Sequence, residues 1–323
     1  MNTRLEIVAL RRGGWFSRRD AISAGYSDAD LRQRVASGRW VRLARGAYAD
    51  TPADAMPAWE RAAWIHVRTA RAVYHRLHGR AVVSHQSALF LHGVRVSELD
   101  LRRVHVTRRN GPGRSGSALC QHASVPPVEQ VTDVDGVQTT TVARAVVESV
   151  CAVSYPIAVS VVDQALRLRI TTTEQLSTAL GLFPRRPGIR TATAAVQFGD
   201  GRAESVGESQ LRVLLADLGF PTVLPQAEIR DTSGRFVARV DFLLEQFGVV
   251  VEFDGAVKYG DGGPNALFAE KVREDRLRDL GYQVVRVTRA DLTTPVPLAL
   301  RIRRAITRAQ GSSVAGYVTG GAL

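Results

Sequence analysis

The chain has 323 residues, 45% of them hydrophobic, and a net charge of +12. That apolar share and length suit two or three domains with proper cores and exclude global disorder. No apolar run approaches the length of a bilayer span and the N-terminus lacks the apolar core of a signal peptide, so no membrane contact and a cytoplasmic location are expected.

The charge is unevenly placed. Residues 1–50 carry ten arginines against five acids, residues 51–200 seventeen against eleven, and residues 201–323 sixteen basic residues against fifteen acids. The first two thirds read as a polyanion-binding surface, and the last third keeps the carboxylates a metal site requires. Cys120 and Cys151 are too few for a disulfide scaffold, and no His/Cys spacing matches a zinc site. Both cysteines are expected to be ordinary buried thiols.

Residues 5–11 predict a first short helix. Ser17 followed by Asp20, and Ser27 followed by Asp30, are two capping-box starts. Gly25 and Gly38 stop the helices that they open. In the second of these helices Leu31 and Val35 lie four apart and form a buried stripe, which leaves Arg32, Gln33 and Arg34 off it. Residues 40–48, Trp-Val-Arg-Leu-Ala-Arg-Gly-Ala-Tyr, alternate around a turn and predict a hairpin wing. Two short capped helices followed by a wing make a winged helix-turn-helix. Residues 5–52 resemble the N-terminal domain of AbiEi-type antitoxins of type IV toxin–antitoxin systems. The resemblance implies that helix 28–37 enters the major groove, where Arg32, Gln33 and Arg34 read base edges while Arg42 of the wing contacts phosphate. Arg18 and Arg19 complete the expected DNA-binding set.

Residues 58–78 predict a longer helix, and residues 81–94 a strand, Ser84 as N-cap, a helix and Gly93 as its stop. His85 and His92 are seven apart, whereas metal-binding pairs usually sit three or four apart, so both read as packing or phosphate-facing residues. Residues 104–110 predict a strand entering an Arg-rich turn, and residues 131–150 strand, turn, strand and capped helix. This order is similar to the middle region of the same antitoxin-like family. No catalytic arrangement is visible in it, and Glu148 and Asp163 are expected to be solvated or salt-bridged. Pro-Arg-Arg-Pro-Gly at 184–188, then small residues, then Gly-Asp-Gly-Arg mark a linker over 184–203.

A helix is expected at about 205–218, where Glu208, Leu211 and Leu215 place Glu208 at the N-terminal end of the buried stripe. Residues 236–244 and 249–253 are rich in β-branched and aromatic residues and predict a hairpin. Alternation puts Val249, Val251 and Phe253 on one face and Val250, Glu252 and Asp254 on the other. A carboxylate in so apolar a strand is costly to bury unless something pairs it, and a divalent cation would do that. Pro264 opens a helix of about 265–280, stopped by Gly281, on which Arg273 and Arg276 could reach a phosphate. Residues 282–288 are a further strand.

Of 43 basic residues only Lys258 and Lys271 are lysine. Lys258 lies six residues past Glu252, and a lysine's compact ammonium can be tuned to handle protons, which arginine resists. Glu208, Val-Asp-Phe (240–242), Val-Val-Glu-Phe-Asp-Gly (250–255), Val-Lys-Tyr (257–259) and residues 273–288 together resemble the PD-(D/E)xK nuclease superfamily, in the branch similar to very-short-patch-repair endonucleases, over residues 204–292. One departure stands out. The superfamily's lysine usually follows the second acid by two residues; here Asp254 holds that place and the lysine comes four later. The resemblance implies that Asp241 and Glu252 bind Mg²⁺ or Mn²⁺, that Lys258 orients or deprotonates the attacking water, and that Asp254 and Glu208 are further ligands or water-positioning groups.

The expected architecture is therefore a multidomain α/β (α+β) chain: a winged-helix domain over 1–52, an α+β middle domain over 53–183, the linker, and a restriction-endonuclease-like α/β domain with a C-terminal helix over 204–323. The expected function is a metal-dependent DNA endonuclease targeted by its winged helix. The alternative is a non-catalytic, antitoxin-like transcriptional regulator. DNA is the expected partner, with a homodimer and, on the alternative, a cognate toxin as further candidates.

Overall fold

Side-chain capping sets the start of the chain. A computed structural model describes residues 1–52, 56–108, 115–124, 126–220, 223–255, 263–310 and 314–319. The chain is a mixed α+β protein that divides into two compact units, Met1–Phe198 and Gly199–Leu323. The first unit opens with α1 (Thr3–Arg11), β1 (Phe16–Ser17), α2 (Arg18–Ser23), α3 (Asp28–Ala36), β2 (Trp40–Ala44) and β3 (Ala47–Asp50). Ser17 with Asp20, and Ser27 with Asp30, close reciprocal capping boxes at α2 and α3. These satisfy backbone donors that an opening helix leaves without partners. Gly25 (φ 94°) and Gly38 (φ 73°) turn the chain out of the two helices in the left-handed region. The strands lie in the order β1-β3-β2. Trp40 locks the helices to this wing: its ring stands 4.8 Å from Phe16 and 5.1 Å from Tyr26, in a core with Leu5, Ala9, Ala21 and Leu31. The result is a winged helix-turn-helix.

The same unit continues with α4 (Ala58–Arg76), β4 (Ala81–Val83), α5 (His85–Leu91), β5 (Val104–Arg108), β6 (Leu119–Ala123), β7 (Val131–Val134), β8 (Val137–Thr140), α6 (Val142–Val150), α7 (Tyr155–Arg167), α8 (Thr173–Gly181) and α9 (Ile189–Phe198). Its sheet runs β6-β5-β4-β8-β7, with β5/β6 and β4/β8 parallel and the other pairs antiparallel. The boundary between the two units falls within the expected linker over 184–203, but part of that stretch is not linker. Residues 189–198 are helix, Ala192, Ala195 and Val196 are buried, and α9 packs on α7. Small residues that resemble linker composition are what close helix packing needs. Gly188 marks the approach, for a Cβ there would lie 1.9 Å from the Cys151 carbonyl oxygen. Neither Glu148 nor Asp163 is solvated, since each is 1% exposed, and Glu148 accepts from Arg144 at 2.7 Å. Cys120 and Cys151 are free and half-buried rather than fully buried.

The second unit contains α10 (Val206–Asp217), β9 (Leu224–Arg230), β10 (Phe236–Leu244), β11 (Val249–Asp254), α11 (Gly263–Asp279), β12 (Gln283–Thr288), α12 (Pro295–Ala309) and β13 (Tyr317–Thr319). Its sheet runs β12-β11-β10-β9-β13. Strands β9, β10 and β11 form an antiparallel meander, and the chain then crosses through α11 to lay β12 parallel to β11. Leu211, Leu215, Leu298 and Ile302, from α10 and α12, pack with Phe242, Leu244, Val249 and Val251, while Leu277 of α11 packs with Val250, Ala227 and Ile229. Residues 249–253 thus face as the alternation requires. The predicted helix–strand–strand–helix–strand core gains β9 ahead of the hairpin and β13 at the far edge. No helix among the described residues is long and apolar enough to cross a membrane.

Candidate functional site

Among the described residues, several places gather polar side chains that the fold does not need for its cores. The first is the helix pair and wing. Arg32 and Gln33 are exposed on α3, and Arg19 and Arg42 are exposed on α2 and β2. Arg34 is placed differently from them. Its guanidinium lies 4.9 Å from the Tyr26 ring centroid and 5.1 Å from that of Trp40, a cation–π stack that ties α3 to the base of the wing. Arg18 donates through Nε to Asp28 at 2.7 Å and through Nη2 to the second oxygen. This fork joins the first residues of α2 and α3 and holds the Asp28 carboxyl below the usual carboxylate range, chiefly through the hydrogen bond. Arg45 is exposed in the turn between β2 and β3, beside Gly46 (φ 74°). It was absent from the predicted set, although Arg-Gly between two alternating runs marks a wing tip.

The second place is where β10 and β11 part. Their ladder runs from Leu244↔Val249 to Phe242↔Val251 and stops. The next residues along are Asp241 and Glu252. Asp241 Oδ2 accepts the Phe253 N–H at 2.8 Å, so a carboxylate takes the backbone donor just past the end of the ladder. Glu208 approaches from the first turn of α10, where the helix N-terminus favours negative charge. Gly207 allows that approach, for a Cβ there would lie 2.0 Å from the Phe253 ring. Glu208 accepts from the Glu204 N–H (2.8 Å), Ser205 Oγ (2.9 Å) and Gln226 Nε2 (3.0 Å). Burial nevertheless pushes its pKa up, and the Asp241 charge adds to the rise. A carboxyl so placed favours a proton or a cation beside it.

Glu252, 9% exposed, is paired otherwise than expected. Arg273 of α11 donates to it at 2.9 Å and to the Arg239 carbonyl oxygen at 3.2 Å. The partner that its burial requires is thus an arginine, and a cation at Glu252 has Arg273 as its competitor. Asp254 ends β11 opposite Thr288, half-buried. Lys258 lies outside the described residues. Carboxylate oxygens suit a hard cation such as Mg²⁺ or Mn²⁺, and Glu208 with Asp241 fits that donor set. Gln226, at φ 54°, is a member of the cluster that the sequence reading missed. Among the described residues, however, the one group of three side chains whose ligand atoms all lie within 4.8 Å of each other is His85, His105 and His122.

One comparison with known proteins bears on the first place. The family model described as "Transcriptional regulator, AbiEi antitoxin" matches residues 4–49, the span from α1 to β3. Two uncharacterized proteins of Mycobacterium tuberculosis, MT2308 of strain CDC 1551 and Rv2248 of strain H37Rv, are each 31% identical over 156 residues. The match covers 48% of this chain and 56% of each relative, so the chain spans about half the length of these curated relatives. The crystal structure of the RV2827C protein from Mycobacterium tuberculosis aligns with a TM-score of 0.39 and 14% identity, over 64% of this chain and 78% of that one.

Proposed function

We propose that the chain is a DNA-binding protein of the antitoxin-like transcriptional-regulator class. The observation that carries this reading is the helix pair and wing over the residues that match the antitoxin family model, with Arg32 and Gln33 exposed on α3 and Arg42 and Arg45 exposed on the wing. Helix α3 enters the major groove. There an arginine fork matches guanine O6 and N7, and a glutamine amide matches adenine N6 and N7. The wing arginines take phosphates, which supply most of the affinity by releasing counterions. The Arg34 stack and the Arg18–Asp28 fork hold α3 at a fixed angle, so that reading base edges costs little further ordering. A second copy and a cognate toxin are the protein partners this class implies. Fluorescence anisotropy of the full chain on labelled duplex DNA tests the reading. Affinity that falls steeply with salt supports it; a folded protein with no duplex affinity even at low salt overturns it.

A second reading is favoured by the approach of Glu208 to Asp241 where β10 and β11 part. On it the second unit is a Mg²⁺- or Mn²⁺-dependent endonuclease similar to the very-short-patch-repair type. Glu208 and Asp241 would hold the cation, and Glu252 would join them only on release from Arg273. When bound, the cation would stabilise charge on the scissile phosphate and the leaving oxygen. Asp254 and Gln226 are the groups at hand to orient water, and Lys258 would handle its proton. Nicking of supercoiled plasmid, with and without either metal, is the test. Metal-dependent nicking that disappears in Asp241→Ala supports this reading. Its absence on every DNA form removes the reading and leaves the regulator standing.

A further inference from the structure

Three histidines far apart in sequence meet in the first unit. His105 stands on β5 and His122 on the neighbouring parallel β6, where the register pairs His105 with Cys120 and Thr107 with His122. His105 Nδ1 and His122 Nε2 are 3.0 Å apart. His85 opens α5, and its ring stacks on that of His122 at 3.7 Å between centroids. One ligand nitrogen of each lies within 4.8 Å of the other two. Around a tetrahedral metal with bonds of about 2.0–2.1 Å, ligand nitrogens stand about 3.3–3.4 Å apart. The 3.0 Å pair is already close to that edge. The rings of His85 and His122 are nearly parallel, 12° between planes, so one of them must turn out of the stack for both nitrogens to face one metal.

We infer that His85, His105 and His122 form a binding site for a divalent transition metal of the zinc class. Neutral imidazoles suit that class. The surroundings also resemble a ligand shell. His85 Nδ1 bonds Ser84 Oγ at 3.0 Å, and Glu148 Oε2 accepts the His85 backbone N–H at 3.2 Å and stands 3.4 Å from Nδ1, which places a carboxylate beside the imidazole. Its other nitrogen, Nε2, accepts from the Arg186 guanidinium at 2.9 Å, so a metal bound there displaces Arg186 from that nitrogen. The Gln86 amide nitrogen donates to the Asp100 carbonyl oxygen at 3.2 Å and lies 2.9 Å from His105 Nε2. His105 and His122 are only half-buried, which leaves the site open to an ion and to a water as fourth ligand. Arg103, Arg144 and Arg186 oppose the cation's charge, whereas Glu148 and Asp100 offset them.

The test uses the full chain, stripped of metal by a chelator and titrated with Co²⁺ and then with Zn²⁺ against a chromogenic chelator. One tightly bound equivalent is expected, with the visible absorption of tetrahedral Co²⁺. It should persist in Asp241→Ala, which separates it from the acidic cluster, and vanish in His105→Ala and His122→Ala. A measurement on the unmodified chain covers the case in which those variants misfold. Zn²⁺ should protect His105 and His122 from diethyl pyrocarbonate, read by peptide mass spectrometry, and leave the exposed His78 reactive. No bound equivalent, one that survives both histidine variants, or equal labelling with and without Zn²⁺ overturns the inference.

Discussion

Replacing Arg42 and Arg45 together by alanine changes how duplex affinity responds to salt. Both side chains are exposed on the wing, one on β2 and one in the turn after it. Each phosphate contact on B-DNA contributes about 0.9 to the slope of log affinity against log salt, so the double variant's slope is shallower by about 1.8. Between 50 and 200 mM salt the unaltered chain then loses about twelvefold more affinity than the variant does. Arg18→Ala is the internal contrast. Its charge is already matched by Asp28, through Nε at 2.7 Å and through Nη2, so its removal should alter the slope far less. Anisotropy titrations of the full chain at four salt concentrations measure all three slopes, with thermal melts confirming that each variant is folded. A wing variant with the unaltered slope, beside an Arg18→Ala protein with a shallower one, would refute the assignment of phosphate contacts to the wing.

His66 should make stability depend on pH. Its ring bonds the Leu101 carbonyl oxygen (3.0 Å) and Ser87 Oγ (2.9 Å), and burial lowers its pKa from 6.5 to about 4. Between those values the unfolded chain binds a proton that the folded chain refuses, so the contribution is fully present above pH 6.5 and is lost as pH falls toward 4. The stability advantage over His66→Gln in urea melts should therefore narrow by roughly 2–3 kcal/mol between pH 7.5 and 4.5, and a constant difference would contradict the burial argument. Gly188→Ala sets a side chain at φ 81° against a carbonyl oxygen 1.9 Å away. It should lower unfolding free energy by about 3 kcal/mol, the sum of backbone strain and overpacking, whereas an unchanged melt would mean that α9 is not docked where it is described.

What was legible in the sequence was local. Ser17 with Asp20 and Ser27 with Asp30 carry their own caps three residues apart, and the alternation around Arg45 and Gly46 carries the wing. The two faces of 249–253 follow from the period of a strand. What was missed depends on distant pairing. Leu224 to Arg230 alternates, with Pro225, Ala227 and Ile229 buried, but its proline, glutamine and charges hid β9 from a composition reading. The Glu252–Arg273 pair spans 21 residues and forms only because α11 crosses back over the sheet. Glu148 read as solvated or salt-bridged, and only the ion pair holds: α6 has no wet face at that point, since Arg144, Ala145, Val146, Val147 and Val150 are all buried with it. The three histidines come from one helix and two strands, and their meeting depends on the β5/β6 register, which no spacing announces.

The central claim, that α3 reads DNA sequence, is tested most directly by selecting binding sites from a random duplex library with the full chain, and in parallel with Gln33→Ala and Arg32→Ala. The unaltered chain should enrich a defined motif. Each variant should relax one position of it, at a cost of about 1–3 kcal/mol in discrimination there, while the salt slope of Gln33→Ala stays unchanged. Enrichment of no motif, or the same motif at the same strength from all three proteins, would contradict the claim.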